Sequence, residues 1–161
     1  MKIFGFAGWS GSGKTTLIER LIRTMRERGR SVSTIKHTHH HEIELDTPGK
    51  DSYRHRRAGA SEVIVASDQG WARIAASTEP ASLQILLGQL RPVDLVLVEG
   101  FKQLEWLRRV EVFRGAGTPL ALADPGIAAV AVPAGVVLAG YRGMKLPLDD
   151  GSAVLDFILN N

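Results

Sequence analysis

The sequence predicts an α/β fold of the P-loop NTPase class: one mostly parallel central sheet wrapped by helices, with an inserted β-hairpin. Three observations carry this expectation. Ile3 to Ala7 is an apolar run that reads as a buried strand, and Gly8-Trp9-Ser10-Gly11-Ser12-Gly13-Lys14-Thr15 behind it fills every required position of G-x-x-x-x-G-K-[ST]. A helical pattern and a second strand follow, completing a βαβ unit that chirality makes right-handed. Further on, Val93 to Val98 is a nearly continuous apolar run, as central parallel strands buried on both faces require.

The elements follow from local patterning. Thr16 to Arg28 carries Leu17, Leu21, Ile22 and Met25 at helical spacing with arginines between them, and Gly29 closes the helix. Ser31 to Ile35 reads as the second strand, and the polar stretch from Lys36 to Gly49 as a loop. A short helix is expected to begin near Asp51. Glu62 to Ala66 and Trp71 to Ala76 read as a hairpin turning on Asp68-Gln69-Gly70. Ala81 to Leu90 fits a helix, while Val110 to Phe113, Leu120 to Ala123 and Ala128 to Val132 are strand candidates. Val154 to Leu159 belongs to a last helix, with Ser152 as its N-cap candidate. No repeat or linker marks a boundary, so residues 1–161 are expected to form a single P-loop nucleotide-binding domain.

Composition narrows the function classes. With 161 residues and 44% hydrophobic content, an ordinary core is within reach. The absence of cysteine excludes disulfides, thiolate zinc sites, iron–sulfur clusters and a cysteine nucleophile. No apolar run approaches a membrane span, and the start of the chain lacks a leader pattern, so a cytoplasmic protein without membrane association is expected. The net charge of +3 is modest, and the few aromatics are not interleaved with basic residues, which speaks against a nucleic-acid partner.

The chemistry concentrates around the phosphate motif. Gly8, Gly11 and Gly13 let backbone N–H groups converge on an anion, with Trp9, Ser10, Ser12 and Thr16 completing the cofactor-binding segment. Lys14 can reach the β- and γ-phosphates and the Thr15 hydroxyl can ligate Mg²⁺. The run Asp94-Leu95-Val96-Leu97-Val98-Glu99-Gly100 offers two carboxylates about 16 Å apart along a strand, so only one can serve the metal. Ligands bind at the carboxyl ends of parallel strands, which selects Glu99 and gives Asp94 a structural role. Gly100 permits close backbone approach to a γ-phosphate. Near Asp51, acid and guanidinium groups gather: Asp51 can orient water, and Lys50, Arg54, Arg56 and Arg57 can neutralise phosphate, although the same pattern also describes a solvated surface helix.

All five histidines, His37, His39, His40, His41 and His55, fall within one stretch. They admit two readings: a Ni²⁺ or Zn²⁺ site, or hydrogen-bonding and flexible residues beside an anion site. A small-molecule kinase is a third general reading, with the arginines near Arg54 in the part of a short lid.

Taken together, GFAGWSGSGKTTLIERLI, TIKHTHHH, TPGKDSYRHRRAGA and LVLVEGFK resemble the molybdopterin-guanine dinucleotide biosynthesis protein B (MobB) family of P-loop GTPases, over about residues 3 to 114. The resemblance implies GTP and Mg²⁺ as cofactors, a homodimer, weak intrinsic hydrolysis, and an accessory role beside MobA, the guanylyltransferase that joins GMP to molybdopterin. Molybdopterin itself is a further candidate ligand. Asp51 and Arg54 resemble the aspartate and arginine of a D-T-x-R switch motif in related GTPases and so become the catalytic candidates; Glu99 and Gly100 would close the metal side, with Lys102 nearby. The departure lies at the base: no N-K-x-D is present, and Asp124, after the strand expected at Leu120 to Ala123, is the substitute guanine reader. The alternative function is a metallochaperone GTPase using the histidine-rich loop for nickel or zinc, against which stands the missing Cys-x-His ligand set of the nickel-handling relatives.

Overall fold

Alternating burial and parallel pairing organise the chain around β1, Lys2–Ala7, whose last four residues are buried. The computed structural model describes residues 1–38, 46–77 and 79–161. They fall into two compact units, Met1–Thr38 with Leu87–Asn161, and His39–Leu86.

In the larger unit, β1 leads through the glycine-rich loop into α1, Lys14–Glu27, which buries Leu17, Ile18, Leu21 and Met25 and turns its arginines outward. Gly29, at φ 66°, takes the left-handed conformation that ends the helix. The chain returns through β2, Val32–Lys36, and later β5, Leu95–Glu99, β6, Arg109–Val112, β7, Ile127–Val132, and β8, Met144–Pro147. These six strands form one sheet in the order β2-β5-β1-β6-β7-β8, every pair parallel. All six carboxyl ends therefore share one edge. The final helix α4, Gly151–Asn160, packs with α1 over a core that includes Phe4, Phe6, Leu97, Val110, Val112 and Leu155.

The smaller unit holds α2, Asp51–Arg57, and an antiparallel ribbon of β3, Glu62–Ser67, and β4, Gly70–Ala75. Its register, Ala66 opposite Trp71 and Ser67 opposite Gly70, centres the hairpin on Asp68 and Gln69 as the turn chemistry predicts. The helix expected over Ala81 to Leu90 is α3, Leu83–Gly88.

Two expectations change, and one strand has no counterpart among the predicted elements. Leu120 to Ala123 is not a strand: Leu120–Leu122 forms one 3-10 turn. The buried Glu111 carboxylate explains it, since it accepts from Leu120 N at 2.8 Å and Ala121 N at 2.9 Å and takes the donors a ladder would use. The strand β8 was hidden because its four residues carry a lysine and a proline, and only Leu146 is buried. The N-cap of α4 is Asp150, whose Oδ1 accepts from Ala153 N at 2.9 Å, and Ser152 lies inside the first turn.

Candidate nucleotide-binding site

The site begins where β1 ends. Gly8, Gly11 and Gly13 adopt φ 139°, 74° and 95°, so the loop needs glycine at each of the three positions. At Gly8 space forbids a side chain as well: a Cβ would lie 2.6 Å from the Val112 carbonyl and 2.7 Å from Ser12 Oγ. Ser12 Oγ is itself buried without a hydrogen-bond partner, an orphan of the kind a bound anion or water satisfies. Arg114, just beyond β6, braces the loop from below, its Nε donating to the Ser12 carbonyl at 3.0 Å. Trp9 stays half exposed and fixes the loop's outer wall through Nε1 and the Thr118 carbonyl, 3.2 Å away.

Lys14 curls back over this loop, donating to the Gly8 and Trp9 carbonyls at 2.9 Å each. Partial burial is the largest influence on its ammonium and lowers the pKa from the usual lysine value; Glu99 opposes this, while Lys102 and Lys36 add to it. Lys14 thus feels three further charged groups, Glu99, Lys102 and Lys36. A polyanion fits that set, because it neutralises three lysines and raises the Lys14 pKa again. Thr15 and Thr16, in the first turn of α1, are exposed there.

Register confirms the direction of β5. Glu99 pairs with Phe6 of β1 and Lys36 of β2 at the carboxyl end, and Asp94 lies at the other rim, accepting from Ser31 N at 2.7 Å and Ser31 Oγ at 2.6 Å. Those bonds hold the Asp94 carboxyl below the usual carboxylate range, which marks it as structural. Gly100 follows at φ 106°, and a Cβ there would stand 2.6 Å from the Cβ of His37. His37 is drawn in by its backbone N–H to the Glu99 carbonyl, 2.8 Å, and by its ring against Phe101, 4.8 Å between centroids. Phe101 carries φ 53°, unusual for an aromatic residue and typical of strained positions beside sites.

Asp51 and Arg54 belong to the smaller unit, on α2, where they form an exposed i,i+3 pair at 3.7 Å. His39, His40 and His41 lie outside the described residues. Asp124 requires a correction. Arg109 N–H donates to the Gly126 carbonyl, and β7 starts at Ile127, so Asp124 sits at the amino edge of the sheet, opposite the phosphate loop. Its oxygens are already engaged: both accept from Arg109 Nη2, at 2.8 and 3.0 Å, and Oδ1 also accepts from Gly126 N at 2.9 Å. The Leu120–Ala123 assignment had carried it to the wrong edge.

Two buried charges escaped sequence reasoning. Arg109, 2% exposed, gathers the Lys102 and Leu104 carbonyls and Asp124, and Glu111 ties down the 3-10 turn. Their signal was present in Arg109-Val110-Glu111-Val112, where the two-residue alternation puts both charges on one face of a strand.

The family described as Molybdopterin guanine dinucleotide synthesis protein B (MobB) matches residues 3–133. The chain belongs to the MobB family. The molybdopterin-guanine dinucleotide biosynthesis adapter protein of Escherichia coli (strain K12) is 47% identical over 120 residues, 71% of this chain and 67% of that protein. The adapter protein of the same name from Haemophilus influenzae (strain Rd) is 46% identical over 132 residues, 80% and 73% of the two chains. The crystal structure of Bacillus subtilis MobB superposes with a TM-score of 0.77 at 27% identity, covering 99% of this chain and 97% of that one. These relatives are MobB adapters, so the metallochaperone alternative gains no support from them. Among the described residues, no helix is long and apolar enough to cross a membrane.

Proposed function

We infer that this MobB-family protein is a GTP-binding adapter of molybdenum-cofactor biosynthesis, assisting the attachment of GMP to molybdopterin. The observation that carries the reading is the phosphate loop of a chain closely related to named adapters: three left-handed glycines, an orphaned Ser12 hydroxyl and Lys14 set among Glu99, Lys36 and Lys102. In this reading the backbone N–H groups of Gly8 to Thr16 and the Lys14 ammonium hold the phosphates. Thr15 and Glu99 are the residues for Mg²⁺, Glu99 through water, since Mg²⁺ keeps much of its hydration. Bound there, Mg²⁺ would offset charge on the β- and γ-phosphate oxygens. Gly100 leaves room for backbone approach. Asp51 and Arg54 enter as hydrolysis-supporting residues through the resemblance to the switch motif alone, and hydrolysis is taken to be weak. The homodimer, the cytoplasmic location, the transferase MobA as partner and molybdopterin as a further ligand belong to the same proposal.

The test is reconstitution. Conversion of molybdopterin to its guanine dinucleotide by the transferase should rise when this protein is added, and Lys14→Ala should abolish the rise. Equal conversion with and without the wild-type protein would sink the adapter reading. On the metal side, Glu99→Gln should weaken Mg²⁺-dependent GTP binding or hydrolysis, with no comparable effect of Asp94→Asn.

A further inference from the structure

Displacing Asp124 to the amino edge leaves the base of a bound nucleotide without a reader, and the carboxyl edge supplies another candidate. Glu99, at the end of β5, and Lys36, at the end of β2, lie on one side of β1. A nucleotide with its terminal phosphate and metal on that side must run its ribose and base the other way, over β6 toward β7 and β8. There an open cleft of about 590 Å³ lies between the carboxyl ends of β7 and β8, lined by Pro133, Val136, Lys145, Pro147, Asp149 and Asp150 among others. Two to three strand spacings separate it from β1, roughly 10–14 Å, the scale of a nucleotide between its β-phosphate and its base.

The cleft shares two lining residues with a gap beside the phosphate loop. Leu148 and Asp149 also border a narrow gap with Gly13, Thr16 and Arg114. Arg20 of α1 fixes that border by donating to the Leu148 carbonyl at 2.7 Å. The two carboxylates at the rim differ in availability. Asp150 is committed to the N-cap of α4 through Oδ1, whereas the exposed Asp149 makes no hydrogen bond or ion pair among the described residues.

We propose that this cleft is the nucleobase subsite and that Asp149 reads the guanine edge, a step that rests on the phosphate-site assignment above. A carboxylate accepts from the N1–H and N2–H₂ donors that guanine presents together. Adenine offers an acceptor at N1 and no amino group at C2, so it forfeits both bonds. Lys145 supplies a cation suited to the O6 acceptor, and Val136 and Pro147 offer apolar surface to a flat ring.

Competition calorimetry with Mg²⁺ and three probes, GTP, ATP and xanthosine triphosphate, tests the assignment. The wild type should prefer GTP over ATP at least tenfold. Asp149→Ala should lower GTP affinity roughly ten- to hundredfold and leave ATP nearly unchanged. Asp149→Asn should move preference toward xanthosine triphosphate, because xanthine carries an acceptor at C2 where guanine carries a donor. A GTP-to-ATP ratio that stays at the wild-type value in both variants would overturn the subsite while leaving the phosphate site intact, provided Lys14→Ala still loses all three nucleotides. Wild-type binding by Lys14→Ala would instead overturn the phosphate site itself. Asp149 is exposed and unpaired, so its variants should fold as the parent does.

Discussion

Lys14, the first residue of α1, and Arg109, the first residue of β6, are both cations at an edge of the sheet, and their surroundings are opposite. Arg109 is buried and nearly saturated: two carbonyls and a carboxylate take its Nη groups, leaving only Nε without a partner. Lys14 meets two neutral carbonyls, with no ion pair within 4 Å among the described residues and with two further lysines acting to lower its pKa. Arg109 is matched by its own chain; Lys14 is held in place by carbonyls alone, as its proposed contact with a phosphate requires. The same contrast separates the two edges of the sheet, Asp94 and Asp124 being satisfied on the amino edge and the glycine-rich loop and Glu99 poised on the carboxyl edge.

Five substitutions break or sharpen that comparison. The largest effect belongs to Asp124→Ala, which strands a buried guanidinium and should cost about 3–5 kcal/mol of stability by denaturant unfolding. Arg109→Met should cost less, because Asp124 is 32% exposed and keeps its bond from Gly126. The reverse ranking would show that the carboxylate, and not the arginine, is the group dependent on the pair. Lys14→Ala should behave in the opposite sense, with stability nearly intact and GTP affinity reduced about a hundredfold, near 2.7 kcal/mol. Comparable losses of stability in the Lys14 and Asp124 variants would erase the distinction between the two cations.

Gly100→Ala comes next. Its φ of 106° and the 2.6 Å approach to His37 should cost about 1–3 kcal/mol in thermal unfolding, with GTP binding impaired in whatever protein folds. Wild-type stability would mean that this turn relaxes freely. The smallest effect is Asp94→Asn, which should act only on stability. Bonds from Ser31 depress the folded-state pKa of Asp94, so the carboxylate's contribution is present above the unfolded value and is lost as pH falls through the folded one. The gap between variant and wild type should therefore close in acid. A gap that persists below the folded pKa would assign the effect to something other than the charge.

Legibility followed the range of the interactions involved. The βαβ start, the hairpin around Asp68 and Gln69, and the opposite fates of Asp94 and Glu99 could be read because each depends on local pattern or on strand polarity, which the sequence carries. The 3-10 turn at Leu120–Leu122 could not, since the pull of Glu111 comes from a neighbouring strand and overrides an apolar run with good strand propensity. Nor could β8, whose pairing with β7 comes from tertiary placement more than from its own composition.

By itself the sequence determined the layout of the phosphate loop: glycines at the three positive-φ positions, a lysine and threonine at the helix start, and a carboxylate at the end of β5, all within short stretches of contiguous chain. Only the tertiary structure decided which edge of the sheet each remaining carboxylate occupies. Asp124 and Asp149 are both aspartates in loops near strands β7 and β8, and they differ in function-bearing potential because one precedes its strand beside a buried arginine and the other follows its strand beside the phosphate loop. That difference is set by strand direction and by partners distant in sequence, which local pattern does not encode.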